Sequence, residues 1–174
     1  MIMIIKRATQ VGNPIMRRRS KPALLSSKST KAIIRNLIDS MRYHGLVGMA
    51  APQIGVNQRI FVSEIRKTKT RMQRGIDPVR VFINPKIVGF SRTQVFGYEG
   101  CGSVAYSGLF GSVRRAQSVT VRAFNEKGKK FALRASGLLA RIIQHESDHL
   151  EGKVFLDRLT DMKSLMSREE YLRR

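Results

Sequence analysis

The sequence predicts an α+β fold in a single domain, residues 1–174, with antiparallel strands around a C-terminal metal-binding helix and an amphipathic helix near the N-terminus. Its length of 174 residues suits one domain with a real hydrophobic core. No internal repeat and no Pro/Gly-rich linker divides the chain. Two segments with helical periodicity, 27–44 and about 137–150, are separated by strand-like segments. Strands between two separated helices indicate the α+β class.

The first helix is predicted from residues 27–44, SKSTKAIIRNLIDSMRYH. Ser27 or Thr30 can cap its start, since a side-chain oxygen there accepts from a free backbone N–H. Apolar residues recur every three or four positions and form one stripe, which consists of Ile33, Ile34, Leu37, Ile38 and Met41. A stripe of this kind indicates a helix that packs one face on the core.

Strand-like patterns follow. RIFVSEI (59–65) and RVFINPKIVGF (80–90) are rich in β-branched and aromatic residues. The basic segment 66–79 between them is expected to be an exposed, mobile loop. Residues 117–135 alternate as SVTVRAF, turn at NEKG and return as KKFALRA, which predicts a β-hairpin. The last helix should bury Leu138, Leu139, Ile142 and Ile143.

The charge of the chain is strongly positive. It has 33 Lys and Arg against 12 Asp and Glu, a net charge of +21. Residues 1–98 contain only three acids but carry basic clusters at 16–21 and 66–74. Such a field attracts polyanions, so the ribosome surface is one expected partner. The alternative is a solvated basic surface without a dedicated partner. No zinc-finger, RNA-recognition or helix-turn-helix signature accompanies the charge.

Composition also predicts the compartment. No apolar run approaches the roughly 18 residues of a membrane span, so no membrane partner is expected. The first ten residues, MIMIIKRATQ, lack a secretory cleavage pattern. Cys101 is the single cysteine, which excludes an internal disulfide and suits a reducing compartment. We therefore expect a cytoplasmic protein; the sequence carries no signal for its oligomeric state.

The most informative stretch is QHESDHLEG (144–152), in the last predicted helix. His145 and His149 are four residues apart and so share a helix face, with Glu146 at its edge. This is the H-E-x-x-H pattern, in which two imidazoles hold a metal and the glutamate is the general base. The alternative is a solvated polar helix face on which two histidines coincide.

A catalytic metal site of this kind requires a third protein ligand. Phe155 stands where one extended form of the motif has a histidine. Glu169 and Glu170 lie in a charged C-terminal tail that resembles a frayed surface helix, and His44 suits a helix C-terminus. Cys101 lies in the polar turn YEGCGSV, and a thiolate is a good ligand for zinc or ferrous iron. Cys101 is therefore the favoured ligand, the alternative being a small, inert, buried side chain.

Three stretches, GLVGMAAPQIG (45–55), EGCGSV (99–104) and QHESDHLEG (144–152), together resemble the motifs of the peptide deformylase family, in the same order and with similar spacing. The opening VGNPIMRRRSKP is also similar, so the likeness covers nearly the whole chain. The family removes the formyl group from N-formylmethionine at the start of new polypeptides. The resemblance implies formylated nascent peptides as substrates and Fe²⁺ as the metal, with Zn²⁺, Ni²⁺ or Co²⁺ possible in its place.

The resemblance also implies a role for each site residue. The metal ligands would be Cys101, His145 and His149. Glu146 would be the general base and acid. The side-chain amide of Gln53 and the backbone N–H of Gly102 would stabilise the negative charge that develops on the formyl oxygen. The alternative for Gln53 is a loop side chain that caps its own backbone.

Leu138, Ile142 and Gly48 would border the substrate pocket, although Leu138 and Ile142 also suit ordinary core packing. Glu99 is expected to support the metal site by pairing with Arg115, which would fix the turn around the cysteine. The sequence does not decide whether Asp148 orients a neighbour or faces solvent.

Two positions depart from the family pattern. Leu46 stands where the family has a glycine, and Gly102 stands where it has a leucine. Both are expected to alter substrate affinity and peptide preference rather than the reaction type. Two other functions remain open: a metallopeptidase or amidase with a different substrate, and a basic RNA-binding protein with a non-catalytic metal site. The second is disfavoured because a structural zinc site needs a fourth protein ligand.

Overall fold

The computed structural model describes residues 4–67 and 75–174, and in these residues the strands form two antiparallel sheets. The helices are α1 (Lys28–Tyr43), α2 (Gly137–Leu150) and α3 (Arg168–Leu172); the strands are β1 (Gly48–Ala50), β2 (Ile60–Ile65), β3 (Asp77–Phe90), β4 (Gln94–Gly100), β5 (Leu109–Ala116), β6 (Ser118–Phe124), β7 (Lys130–Ser136) and β8 (Met166–Ser167). One sheet has the order β1-β2-β3-β6-β7 and the other the order β4-β5-β8. The predicted α+β class, with antiparallel strands around a C-terminal helix, is confirmed.

Helix α1 forms as its pattern predicts. The Ser27 hydroxyl accepts a hydrogen bond from the backbone N–H of Thr30 at 3.0 Å and caps the helix. Ile34, Leu37 and Met41 are buried, and their neighbours in the stripe are partly buried against the same cluster. This apolar face packs on β1 and β2, which supports the short strand that leads into the site.

The central strand β3 is longer than predicted. It begins at Asp77, which pairs with Ile65 of β2 and accepts two hydrogen bonds from Arg80, at 2.6 and 2.8 Å. The prediction of a loop through residue 79 was therefore wrong at its C-terminal end, because the ordered Asp77–Arg80 pair extends the sheet. Residues 68–74 of that predicted loop lie outside the described residues. The predicted hairpin is confirmed as β6 and β7, in register from Ser118–Ser136 to Phe124–Lys130.

Helix α2 lies across the larger sheet. Its buried Ala140, Ile143 and Leu150 belong to one cluster with residues of β2, β3 and β6. The buried Gln144 amide exchanges hydrogen bonds with the backbone of Ala116 at 3.1 and 3.0 Å, which ties α2 to the end of β5. Ile142 and Ile143 are buried as predicted, but Leu138 and Leu139 are only partly buried. Leu138 keeps an exposed edge because it borders a cleft.

The C-terminal segment is better anchored than a frayed tail. The Ser167 hydroxyl caps α3, and the Tyr171 ring stacks on Phe110 of β5 with 4.2 Å between centroids. Glu169 and Glu170 point away and are exposed. Among the described helices, none has the length and apolarity needed to cross a membrane.

Candidate metal centre and active site

Two parts of the fold bring three metal-binding side chains together. Cys101 directly follows β4, and His145 and His149 lie one turn apart on α2. One ligand atom from each residue lies within 4.8 Å of the others. The Cys101 Sγ is 3.2 Å from His149 Nε2, and both residues are buried, at 2% and 0% exposure. Cys101 and His149 are buried and His145 is partly buried around this point. Polar groups placed in this way are unfavourable without a partner, and a metal would supply that partner.

The ligands are also oriented by their neighbours. His145 Nδ1 lies 2.9 Å from Glu99 Oε2, which fixes the ring and leaves Nε2 free to coordinate. Burial alone would raise the pKa of the Cys101 thiol, but the imidazoles of His149 and His145 outweigh it and hold that pKa well below its ordinary value. A thiolate is therefore favoured at Cys101, as metal coordination requires.

Glu99 lies at the centre of a buried ionic network. Arg115 donates two hydrogen bonds to the Glu99 carboxylate, both at 2.9 Å, and one to Asp148 at 2.6 Å. Arg158 also pairs with Asp148. Burial alone would raise the pKa of Glu99, but hydrogen bonds to His145 and Arg115 outweigh it and keep that pKa far below its usual range. Asp148 is thus buried, at 6% exposure, and orients Arg115.

Arg141 is a further member of this network that the sequence reasoning missed. Its guanidinium donates to Glu99 Oε1 at 2.8 Å and to backbone carbonyls of β4 and β5, including Val113 at 3.0 Å and Val95 at 2.9 Å. Gly97 makes room for it, because a Cβ there would lie 2.9 Å from Arg141 Nη2. The available signal was its position four residues before His145, on the same face of α2.

Glu146 is buried beside the ligands. Burial raises the pKa of its carboxyl from 4.5 to about 7. Among the described residues, its Oε2 has no hydrogen-bond partner, and neither does His149 Nδ1. Gly48 packs directly against this carboxylate: a Cβ at Gly48 would lie 2.9 Å from Glu146 Cδ and 2.9 Å from Ile142 Cγ2. Gly48 therefore provides the space that the carboxylate occupies.

Gln53 follows β1 and is buried, at 2% exposure. Its Oε1 accepts a hydrogen bond from the backbone N–H of Ala50 at 2.8 Å. Its Nε2 consequently faces the ligands, 3.6 Å from Cys101 Sγ and 3.3 Å from Ser103 Oγ. Gln53 therefore caps the backbone as its alternative interpretation predicted, and the same bond orients its Nε2 toward the cluster.

A cleft of about 530 Å³ opens beside these groups. Its borders include Gly48, Gln53, Cys101, Gly102, Leu138, Ile142, His145 and Glu146, together with Leu46, Phe110 and Tyr171. The two residues that depart from the family pattern are neighbours here: a Cβ at Gly102 would lie 3.1 Å from Leu46 Cδ1. The Leu46 side chain thus occupies space next to the position where residue 102 has no side chain.

The donor set fits a catalytic divalent metal. One sulfur and two imidazole nitrogens suit zinc or ferrous iron, and three ligands leave a position for water. The other residues considered from the sequence are not part of the cluster found among the described residues. His44 instead ends α1, with its Nε2 3.0 Å from the Lys6 carbonyl oxygen.

Comparison with known proteins agrees with this geometry. The family model described as polypeptide deformylase matches residues 5–165. The chain is 36% identical over 160 residues to a peptide deformylase of Natranaerobius thermophilus, covering 92% of this chain and 96% of the relative. It is 39% identical over 161 residues to one of Desulforudis audaxviator, covering 91% and 96%.

Solved structures give the same result. A class I type b peptide deformylase from Acinetobacter baumannii with bound Met-Ala-Ser superposes with a TM-score of 0.86 at 28% identity, covering 91% of this chain and all of the other. The peptide deformylase from Thermotoga maritima has a TM-score of 0.79 at 30% identity, covering 91% and 99%. Fold, ligand cluster and sequence match agree over nearly the whole length of the chain. The chain therefore belongs to the polypeptide deformylase family.

Proposed function

We propose that residues 1–174 act as one metallohydrolase domain that removes the formyl group from N-formylmethionine at the start of newly made polypeptides. The observation that carries this proposal is the Cys101, His145 and His149 cluster with the buried Glu146 carboxylate beside it, open to one cleft. Membership of the polypeptide deformylase family supports the same reaction.

We propose Fe²⁺ as the metal, held by Cys101, His145 and His149, with Zn²⁺, Ni²⁺ or Co²⁺ able to replace it. The mixed sulfur and nitrogen donor set suits each of these ions. A divalent metal held by these residues would supply a nucleophile at neutral pH, because such ions lower the pKa of bound water from about 16 to about 7.

The protein groups perform the remaining steps. Glu146 takes the proton of the attacking water and delivers it to the leaving amine, as a general base and then a general acid. Gln53 Nε2 and the backbone N–H of Gly102 donate hydrogen bonds to the formyl oxygen as it gains negative charge. Because Gln53 is already held by Ala50, its amide needs no reorganisation during the reaction.

The methionine side chain has an apolar place in the cleft. Leu138 and Ile142 of α2 border it, about two turns and one turn before the ligand His145. Gly48 borders the same cleft and, without a side chain, leaves room for the Glu146 carboxylate. The Acinetobacter baumannii structure was solved with Met-Ala-Ser bound, which supports a peptide with an N-terminal methionine as the kind of ligand this fold accepts.

The setting follows from the substrate. Formylated nascent peptides emerge at the ribosome, so we propose a cytoplasmic enzyme that works near the ribosome surface. The basic clusters of the N-terminal half would favour that location. A metallopeptidase is the second candidate, because the same cluster and carboxylate can also hydrolyse peptide bonds.

The experiment compares formyl-Met-Ala-Ser with Met-Ala-Ser as substrates. Protein loaded anaerobically with Fe²⁺, or with Ni²⁺, Co²⁺ or Zn²⁺, should release formate from the first and leave the peptide bonds of both intact. Cleavage of Met-Ala-Ser into amino acids would favour the metallopeptidase. No formate with any of the four metals would refute the proposed activity.

A further inference from the structure

A second, larger cleft lies on the other side of α2 from the metal cluster. Its volume is about 1080 Å³, and it is bordered by the segment 19–22, by β3 and β5, and by the C-terminal half of α2. The residues of α2 divide between the two clefts: His145 and Glu146 face the metal cleft, whereas Ser147 and Glu151 border the second one. A ligand in the second cleft would therefore leave the catalytic cleft open.

The second cleft is strongly basic. Among the described residues, seven lysine or arginine side chains border it, against two carboxylates, Asp148 and Glu151. Both carboxylates are already paired within the protein. Asp148 binds two arginines of the network around the metal site. Glu151 binds Arg19 at 3.0 Å and Arg59 at 2.6 Å.

Three of these cations have no counter-ion among residues 4–67 and 75–174. Lys21, Lys86 and Arg114 border the cleft and are exposed. None of the three forms an ion pair with any carboxylate in the part of the chain that the structure describes. Concave surfaces with one sign of charge concentrate the electrostatic potential, so this cleft attracts an anionic ligand more strongly than a flat surface of equal charge.

An exposed aromatic ring stands at the border of the same cleft. Phe90, at the end of β3, is 61% exposed and borders the cleft. Cations that track a phosphate backbone, combined with an aromatic face on which a base can stack, are the features of nucleic-acid grooves. A lipid bilayer is flat and could not reach the floor of a concave cleft, so RNA fits the shape better than a membrane surface.

We propose that this basic cleft, defined by Lys21, Lys86, Arg114 and Phe90, binds RNA, with the three cations on phosphates and the phenylalanine ring on a base. The inference rests on the proposed function for its biological setting, because an enzyme of nascent chains meets ribosomal RNA wherever it works. It extends that function by naming the surface of contact and the chemistry of the partner. The binding is independent of sequence, since backbone phosphates carry no base identity.

The test measures binding of a fluorescently labelled RNA hairpin of about 20 nucleotides by anisotropy over a series of KCl concentrations. The cleft variant carries Lys21→Gln, Lys86→Gln and Arg114→Gln. The matched control, with the same loss of three positive charges, carries Lys28→Gln, Lys31→Gln and Arg35→Gln on the exposed face of α1, away from the cleft.

The cleft variant should bind RNA at least about tenfold more weakly than the wild type at 0.1 M salt. The magnitude of the negative slope of log K against log salt should decrease by about 2 to 3, because each of the three lost phosphate contacts contributes about 0.7 to 0.9. The control variant should change both quantities much less. Phe90→Ala should weaken binding about fivefold or more and leave the slope unchanged, because stacking releases no counterions. Equal losses in the two triple variants would overturn the proposal, because they would show a response to net charge alone.

Two further measurements separate the remaining outcomes. If the cleft variant keeps RNA affinity but loses binding to vesicles containing phosphatidylserine, the partner is a membrane and the RNA proposal is wrong.

Formate release from formyl-Met-Ala-Ser should be unchanged in the cleft variant, since none of its three substituted residues borders the metal cleft. A wild type that binds RNA through this cleft but releases no formate would refute the proposed activity and leave the cleft assignment standing. Unchanged melting temperatures of all variants establish that each one is folded.

Discussion

Replacing Gly48 with alanine should remove most of the formate-releasing activity while the metal stays bound. The added methyl carbon would lie 2.9 Å from both Glu146 Cδ and Ile142 Cγ2. Both neighbours are buried, at 3% and 4% exposure, so neither can move into solvent. The carboxylate must shift by a large part of an ångström, and a misplacement of about 1 Å can cost about 10²-fold in rate. The expected fall in kcat is therefore up to about 10²-fold, with about 1–3 kcal/mol of stability lost to overpacking.

The assay is formate release from formyl-Met-Ala-Ser, with metal content measured on the same preparation. Gly89→Ala is the matched control. Gly89 also lies in a strand, β3, and the nearest atom to a Cβ added there would be Thr120 Cβ, at 3.6 Å. The control should keep full activity. A Gly48→Ala protein with kcat within about threefold of the wild type would refute the role of Gly48 as the space for the Glu146 carboxylate.

Three other changes probe separate parts of the structure. Cys101→Ala should lose bound metal in elemental analysis, because one of three ligands is removed, and full occupancy would contradict the assignment. Gly102→Leu should raise KM about tenfold with little change in kcat, because the new side chain meets Leu46 Cδ1, 3.1 Å from the Cβ position. Adding Leu46→Gly should restore KM; a double variant no better than the single one would show that the two positions are independent. The hydrogen bond from Arg42 lowers the pKa of Glu64 below its ordinary value of 4.5. The Arg42–Glu64 pair therefore stabilises the fold fully above pH 4.5, and this stabilisation is lost as the pH falls through the lowered pKa of Glu64. Denaturant unfolding of Glu64→Gln should show about 1 kcal/mol less stability than the wild type at pH 7 and a smaller difference at pH 3, and an equal difference at both would count against the pair.

Local sequence patterns predicted most of the fold because they act over short distances. The stripe of α1, its Ser27 cap and the alternation of the β6–β7 hairpin each depend on residues within a few positions of one another. The start of β3 was missed because it depends on the pairing of Asp77 with Ile65, across the segment between the strands. The stacking of Tyr171 on Phe110 likewise joins parts of the chain that no local pattern connects.

The candidate site divides in the same way. Cys101, His145 and His149 were identified from residue type and motif spacing, and the structure brings them together within 4.8 Å. The contact of Gly48 with Glu146 could not be predicted, because a glycine carries no chemical signal of what packs on it. The proximity of Leu46 to Gly102 joins two departures that looked unrelated in the sequence.

The most direct test of the proposed chemistry is formate release by Glu146→Gln. Glutamine is nearly the same size as glutamate but cannot accept a proton, so the helix and the metal should be retained. Glu169→Gln, at an exposed position of α3, is the matched control for loss of a carboxylate. If Glu146 is the general base, kcat with formyl-Met-Ala-Ser should fall by about 10²- to 10⁴-fold at unchanged metal content, and the control should match the wild type. A metal-loaded Glu146→Gln protein that releases formate within about tenfold of the wild-type kcat would contradict the proposed mechanism.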